Sequence, residues 1–446
     1  MELMLNWLLL IVPFVGFVLG FGVLKRLNNL YYALKLGKKW DELPPGDLSW
    51  PLIGSTLSFL KYFTFGPPDG FIRDFSRRYG KIDMYKTHIF GKPTLIVCKP
   101  EICRQVLTDE TKFIPSYPTS ITAVFGKKSL LQVPKEEHRK LRRLTMAPIS
   151  GHAALEMYID HIEHTVISGL EEWSSMKKPL ELLTTIKQLT FKVIWNIFMG
   201  STPIKSTSIR EMETLNENIA LAFLTLPLNF PGLPFHKALM RMVKKSKGEN
   251  WEAKDMMDLL MEVRDEDGEG FDDETITEII FGMLFGGQET TAFTTMWAVL
   301  FLTDNPQVFQ KAKVIDETLR LSSVAFISFR EATEDIEING KIIPKGWRVI
   351  LWLRGLNMDQ KLHPSPQHFN PSRWDNFRGS PGAFTPFGLG VRMCPGRDLA
   401  RMEISIFLHY FVLNYKIERL NPECKLNYLP ISHPIDKCLA RVIKLQ

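Results

Sequence analysis

A glycine-rich run followed at once by a helical pattern constrains the fold of this chain more than any other feature. The run occupies residues 387–396 and reads Phe-Gly-Leu-Gly-Val-Arg-Met-Cys-Pro-Gly. Its three glycines and its proline form helices and strands poorly, so the run predicts a tight loop. The apolar spacing over residues 399–415 predicts a helix that begins just after it. Cys394 therefore lies in a loop at the start of a helix.

The surroundings of Cys394 suit a thiolate. Taken alone, a single cysteine is most often a small buried hydrophobe. Here the amides of the loop can point at the sulfur, and the positive end of the next helix faces the same place, so both favour thiolate over thiol. Phe387 can shield the sulfur from water, and Arg392 can bind a carboxylate. A dry, hydrogen-bonded thiolate is the ligand that a haem iron needs for oxygen activation.

The run matches F-x-x-G-x-R-x-C-x-G at every fixed position, and here the sequence resembles the cytochrome P450 superfamily. The resemblance implies a mainly α fold with small β-sheets, in which haem b lies between a long oxygen-binding helix and the cysteine loop. It implies that Cys394 is the axial ligand of the haem iron. Four other residues of the run would contact the haem, namely Phe387, Gly390, Arg392 and Gly396.

A second motif, Gly-Gly-Gln-Glu-Thr-Thr over residues 286–291, lies inside an apolar helical pattern at 275–301. One interpretation is a helix bend with a solvated Glu289, because a glycine pair weakens a helix. The motif also resembles the A/G-G-x-D/E-T-T/S segment of the same superfamily. That resemblance implies that Thr290 holds oxygen or a water by hydrogen bonding and that Glu289 relays protons, which makes these two the predicted catalytic residues.

Three charged residues resemble a structural feature of the superfamily. Glu317 and Arg320 form E-x-x-R, and Arg373 lies in a segment similar to P-x-R-F/W. By itself E-x-x-R is an ordinary helix pair. The resemblance implies a buried charge triad of these three residues, with a structural role, in which removal of one member leaves an unpaired buried charge.

A basic helix is predicted over residues 136–146. His138 and Arg142 lie one turn apart on it, and the simplest interpretation is a solvated basic face. In resembling proteins this helix passes the haem propionates, usually with Trp at the position of His138. Because His and Arg can both donate to carboxylates, both are predicted haem-binding residues. Three other basic residues are expected to face outward, toward an acidic redox partner: Arg139, Lys140 and Arg143.

The N-terminal segment predicts a membrane anchor. Trp7–Leu24 is a run of eighteen residues without a charge, and Lys25 and Arg26 follow it. The alternative is a cleaved signal peptide, which the absence of a basic stretch before the run disfavours. We therefore expect an anchor over 1–24, a basic and Pro-rich linker over 25–50 and a catalytic domain over 51–446. Basic residues after the span predict a single-pass protein of the endoplasmic reticulum membrane with its catalytic domain in the cytosol.

The remaining periodicity predicts one large, mainly helical domain. Strand pairs are expected within 86–97 and 335–351, where Gly91 and Asn339-Gly340 supply turns. Helices are expected over 136–146, 154–173, 180–199, 275–301, 313–321 and 399–415.

Composition excludes several classes of protein. The net charge of +6 is spread over the chain without a dense basic tract, so no nucleic-acid partner is expected. Five cysteines form no CxxC pair, which argues against a disulfide scaffold or a zinc site.

Shorter runs resemble plant terpenoid oxidases, among them ent-kaurenoic acid oxidases of gibberellin biosynthesis and β-amyrin 11-oxidases. These runs include Leu43–Gly54, Phe329–Ala332, Ile343–Trp347 and Leu399–Tyr410. The resemblance implies a membrane-bound monooxygenase that acts on a hydrophobic terpenoid with O2 and with electrons from NADPH through NADPH-cytochrome P450 reductase.

The expected substrate contacts are largely apolar or small, which fits a rigid hydrocarbon skeleton. They come from residues 117–133, 282–294, 323–327 and 429–432. Lys127 and Lys128 could bind a substrate carboxylate, which favours ent-kaurenoic acid, but two solvated lysines explain them equally well. A β-amyrin 11-oxidase-like triterpenoid oxidase stays open as the alternative.

Two connections are shorter than in resembling proteins: residues 306–317, before Glu317, and residues 244–254. Both leave the haem motifs intact but can remove packing around the Glu317 helix. An inactive shortened P450 form is therefore a second possibility. A haem-thiolate isomerase or dehydratase that needs no reductase is disfavoured, because the 286–291 segment is complete.

Overall fold

The structure is a computed structural model, and it describes residues 22–199 (apart from 127, 147, 148 and 150), 273–308 and 313–445. Most of the expected anchor, Lys127 and the short 244–254 stretch lie outside these residues. Residues 22–36 form a helix. No helix within the described ranges is both long and apolar enough to span a bilayer.

The first of two compact units comprises the described residues up to Ser116 together with Ile327–Trp352. It contains a five-stranded sheet of order β1-β2-β8-β5-β3, in which only β2 and β8 run parallel. The strands are β1 (Met84–Ile89), β2 (Lys92–Val97), β3 (Phe113–Pro115), β5 (Ser328–Ala332) and β8 (Arg348–Leu351). Its helices are α1 (Thr56–Phe65), α2 (Asp69–Tyr79) and α3 (Pro100–Thr108).

Both predicted strand pairs occur in this unit. β1 and β2 pair antiparallel around Gly91, whose φ of +74° is a conformation that favours glycine. β6 (Ile336–Ile338) pairs with β7 (Lys341–Ile343). This pair is shorter than the predicted range 335–351, because residues 344–347 lie outside any strand and β8 joins the large sheet instead.

The second unit comprises the described residues within Tyr117–Phe326 and those from Leu353 onward. Its helices are α4 (Thr119–Phe125), α5 (Lys135–Met146), α6 (His152–Ser175), α7 (Leu182–Met199), α8 (Asp273–Asp304), α9 (Val314–Ser322), α10 (Leu353–Asn357) and α11 (Arg397–Asn414). Small sheets are formed by β4 (Leu180–Glu181), β12 (Leu439–Lys444) and β9 (Tyr415–Arg419), and by β10 (Leu426–Asn427) with β11 (His433–Pro434).

Helix α8 runs through the apolar core of this second unit. It packs against α7 and α11, and most of its side chains from Met283 onward are buried. A helix that is apolar on nearly all sides must be buried to be stable in water. This packing places the 286–291 motif near the middle of α8 and the cysteine loop directly before α11. The prediction of a mainly helical fold with small sheets is confirmed.

Candidate active site

The cysteine loop takes its shape from two glycines. Gly388 and Gly390 have φ values of +74° and +72°, which a residue with a Cβ adopts only with strain. The loop is closed where the Cys394 amide donates to the Phe387 carbonyl at 2.8 Å, and α11 begins three residues later. The predicted tight loop before a helix is therefore present.

Burial and nearby charges act in opposite directions on Cys394. Burial raises the pKa of the Cys394 thiol, and this effect exceeds the opposing effects of a hydrogen bond from the Gly396 amide and of the positive charges on Arg142 and Arg397. The amide and the cations act in the predicted direction. Ligation of haem iron by the Cys394 thiolate stays a prediction.

The predicted haem-binding basic residues lie on the cysteine loop and on α5. Arg392 donates to the carbonyls of Leu130 and Val133, at 3.4 and 2.9 Å, and so ties the loop to the segment before α5. On α5, His138 is buried and Arg142 is half-buried, one turn apart. The solvated basic face therefore does not describe these two residues.

The other basic residues of α5 differ in how exposed their side chains are. Arg139 and Arg143 are exposed, as expected for a docking surface, whereas Lys140 is half-buried. Lys140 is therefore less exposed than predicted.

The middle of α8 carries an open face. Gly286 and Thr290 are exposed although most of their neighbours are buried, and they lie four residues apart on one side of the helix. The Thr290 hydroxyl donates to the Gly286 carbonyl at 2.6 Å. A Cβ on Gly286 would meet no atom within 4 Å, whereas a Cβ on Gly287 would lie 2.3 Å from Ile194. The first glycine leaves space, and the second allows α7 to approach.

Glu289 is buried and paired. It is 3 % exposed, and its carboxylate lies 2.8 Å from the ammonium of Lys187 on α7. The interpretation of Glu289 as a solvated residue at a helix bend is therefore wrong. Sequence reasoning missed Lys187, because the two residues are a hundred positions apart and no local pattern links them. The ion pair fixes the carboxylate of the residue that directly precedes Thr290 on α8.

Glu317, Arg320 and Arg373 meet in one buried cluster. Arg320 donates twice to the Glu317 carboxylate, at 2.8 and 2.9 Å, and Arg373 donates to it at 2.9 Å. The indole of Trp374 and the amide of Asn370 also donate to Glu317, each at 3.0 Å. Arg320 further donates to two backbone carbonyls, so the cluster fastens α9 to residues 357–374.

One expected wall of the substrate region is aromatic. Phe125 of α4 lies within 6 Å, between ring centroids, of Phe281 and Phe285 on α8. Beside them, Glu278 accepts a hydrogen bond from the Lys128 amide at 2.8 Å. Sequence reasoning missed this carboxylate. Lys127, the other expected carboxylate ligand, lies outside the described residues.

Residues 429–432, a second expected contact region, lie against the C-terminal half of α8. The Trp297 indole donates to the Ser432 carbonyl at 2.7 Å. Phe293 packs against His433 with ring centroids 5.3 Å apart.

A haem group fits these observations. The face of α8 at Gly286 and Thr290 is open although the helix is otherwise buried, and a cysteine sulfur with cationic neighbours precedes the adjacent helix. Arginine and histidine are donors that suit propionate carboxylates. The roles assigned to individual residues stay predictions.

Comparison with known proteins decides the family. The family model for Cytochrome P450 matches residues 44–313 and 312–431, most of the chain. The chain belongs to the cytochrome P450 family. It is similar to a solved cyanobacterial P450, retinoic acid-bound CYP120A1, with a TM-score of 0.79 at 24% identity over 90% of this chain and 99% of that chain. That similarity supports the fold.

Relatives of this P450 include plant terpenoid oxidases, as predicted. Beta-amyrin 11-oxidase of Glycyrrhiza uralensis is 44% identical over 97% of both chains. Ent-kaurenoic acid oxidase 2 of Arabidopsis thaliana is 40% identical over 99% of this chain and 98% of its own. The prediction that this chain is a cytochrome P450 monooxygenase is confirmed.

The comparisons also bear on the short connections. The alignment with the β-amyrin 11-oxidase spans 478 positions against 446 residues in this P450, so the relative carries segments that this chain lacks. The family match divides at residues 312–313, within the short connection before Glu317.

Proposed function

We propose that this P450 is a membrane-anchored monooxygenase that hydroxylates a terpenoid at an unactivated C–H bond. The observation that carries the proposal is the open face of α8, where Gly286 leaves space beside the Thr290 hydroxyl and where Lys187 holds Glu289 in the interior. A terpenoid skeleton offers little for polar recognition, which suits an aromatic wall.

The haem iron would be held by the sulfur of Cys394, and His138, Arg142 and Arg392 would donate to the haem carboxylates. When bound, it supplies the capacity to activate oxygen. Thr290 can turn its hydroxyl from the Gly286 carbonyl toward a bound water or substrate. Glu289 can accept and donate a proton, and its ion pair with Lys187 fixes the orientation of the carboxylate.

The electron donor in this proposal is NADPH, through NADPH-cytochrome P450 reductase. The exposed Arg139 and Arg143 give a basic patch that suits an acidic partner. The apolar run before Leu24 would hold the protein in the endoplasmic reticulum membrane, with the catalytic units in the cytosol.

Ent-kaurenoic acid is the first candidate substrate, since relatives include ent-kaurenoic acid oxidases and Lys127 and Lys128 precede the basic helix. A specific observation favours a second candidate, a neutral triterpenoid such as β-amyrin. Glu278 places a carboxylate beside the aromatic wall, where it would repel an acidic substrate.

The test is product analysis in microsomes that contain this P450 and a plant reductase, fed separately with ent-kaurenoic acid and β-amyrin. We expect an oxygenated product of one of them that requires NADPH. Thr290→Val is the diagnostic variant, because it keeps the side-chain shape but removes the hydroxyl, and we expect less product per NADPH.

Two results would contradict this proposal. Turnover without NADPH would indicate an isomerase or dehydratase. Haem-loaded protein that oxidises neither compound nor any other terpenoid would support the inactive shortened form.

A further inference from the structure

Glu403 is a buried acid that the proposed function does not use. It lies on α11 and is 5 % exposed, and neither of its carboxylate oxygens has a hydrogen-bond partner within the described part of the chain. Burying an unpaired carboxylate is costly, so such a group demands an explanation.

The Glu403 side chain lines a small cavity where four helices of the second unit meet. Three threonines share the lining, Thr190 from α7 and Thr291 and Thr295 from α8. The other lining residues are apolar and come from α6, α7 and α11: Ile162, Val166, Ile186, Leu189, Val193 and Phe407. The cavity has room for about one water molecule.

Within the described part of the chain, no charge at the cavity compensates Glu403. Among the described residues that line the cavity from α6, α7 and α8, none is titratable. Burial alone raises the pKa of the Glu403 carboxyl well above its ordinary value of 4.5, and no charged neighbour contributes. Lys187 of α7 and Glu289 of α8 form an ion pair with each other. A neutral carboxylic acid is therefore the form that this environment favours.

A neutral acid needs both a hydrogen-bond acceptor for its proton and donors for its oxygens. One water in the cavity meets both needs, since it accepts from the acid and donates to a threonine hydroxyl or back to the acid. Thr190 and Thr291 belong to the two helices that carry Lys187 and the open face, so the cavity lies beside the active-site segment of α8.

We propose that Glu403 is a neutral carboxylic acid that binds one buried water between α7, α8 and α11, and that the proton it keeps in the folded state makes the protein less stable as pH rises. The site thus joins α8, which carries the 286–291 motif, to α11, which follows the cysteine loop. The inference does not depend on the substrate of this P450.

Linkage fixes the sign of the pH dependence. The folded state retains a proton that the unfolded state has lost above pH 4.5, so stability is full below that pH and declines as pH rises toward the folded pKa. Glu403→Gln is neutral at every pH and keeps the shape of the side chain. Relative to Glu403→Gln, the unfolding equilibrium constant of the natural protein should rise about tenfold per pH unit in this range.

The experiment measures urea unfolding of the haem-loaded full chain from pH 5 to pH 9, for the natural protein, Glu403→Gln and the exposed control Glu423→Gln. We expect the free energy of unfolding of Glu403→Gln to exceed that of the natural protein by an amount that grows with pH. The control should follow the natural protein at every pH. Parallel curves for all three proteins would show that Glu403 keeps no proton in the folded state and would overturn the proposal. Because a variant can fail to fold, a second measurement uses the natural protein alone.

Infrared spectra of the natural protein at neutral pH should contain a carbonyl band of a protonated carboxyl that is insensitive to bulk buffer. A high-resolution crystal structure of the holoenzyme should show a water within hydrogen-bond distance of Glu403 and of Thr190 or Thr291. A protein without that band, or with an empty cavity, would overturn the proposal. None of these readouts tests the terpenoid activity.

Discussion

Substitution of Glu317 offers the most quantitative test of the structural account. The carboxylate accepts five hydrogen bonds, three on Oε1 and two on Oε2, from Arg320, Arg373, Asn370 and Trp374. Its side chain and that of Arg320 are fully buried, and that of Arg373 is 8 % exposed. In Glu317→Gln the two guanidinium groups therefore lose their counter-charge without gaining water.

Removal of one partner from a buried ion pair costs about 3–5 kcal/mol. The entropy of unfolding is roughly 2.1 cal/mol/K per residue, so for 446 residues this loss of free energy lowers the melting temperature by about 3–5 °C. Trp374→Phe removes one hydrogen bond to a charged group, about 1.5–3 kcal/mol, so its melting temperature should fall by less. The exposed Glu423→Gln should leave it unchanged.

Differential scanning fluorimetry of the holoenzymes measures this series, together with haem content per protein. A double-mutant cycle of Glu317→Gln with Arg373→Gln adds a sharper criterion, because contacting residues couple. We expect the double variant to lose less stability than the sum of the single ones. Additive losses, or a Glu317→Gln melting temperature equal to that of the natural protein, would refute the buried triad as a stabilising unit.

Three further predictions concern separate parts of the chain. Lys187→Met removes the cation that holds the Glu289 carboxylate. Because general acid–base groups contribute on the order of 10²–10⁴-fold, the amount of product formed per NADPH should fall at least about tenfold. An unchanged ratio would exclude Lys187 as the residue that positions Glu289. Burial lowers the pKa of His363 from 6.5 to about 4, so stability should fall as pH falls from about 6.5 to about 4, and urea unfolding of His363→Phe should show a smaller fall. A Cβ on Gly126 would lie 1.8 Å from the Glu278 carboxyl carbon, so Gly126→Ala should displace Glu278 beside the aromatic wall. We expect this variant to bind terpenoids more weakly in titrations followed by the haem absorption spectrum. Equal affinities of the variant and the natural protein would argue that this wall does not contact the substrate.

Local sequence patterns predicted the elements that carry the chemistry. The glycines of the cysteine loop and the start of α11 follow from backbone preferences within ten residues. The long apolar pattern around residues 286–291 correctly predicted a buried helix, observed as Asp273–Asp304. These features depend on neighbours in sequence, where propensity and periodicity are strong signals.

Partners distant in sequence were not predictable in the same way. Lys187 with Glu289, and Glu278 with the loop at Gly126, are contacts that only the packed helices create. The unpaired state of Glu403 is likewise a property of four helices together. The burial of Cys394, which raises the pKa of its thiol, was not predictable for a related reason, since the amount of burial cannot be obtained from the residues of the loop alone.

The reduced, carbon monoxide-bound difference spectrum tests the central claim most directly, namely that Cys394 ligates haem iron as a thiolate. Microsomes that contain the natural protein should give the red-shifted Soret band of thiolate ligation, and Cys394→Ser should lose that band while its far-ultraviolet circular dichroism is retained. A folded natural protein whose Soret band lacks the shift, or a Cys394→Ser variant that keeps it, would contradict the account.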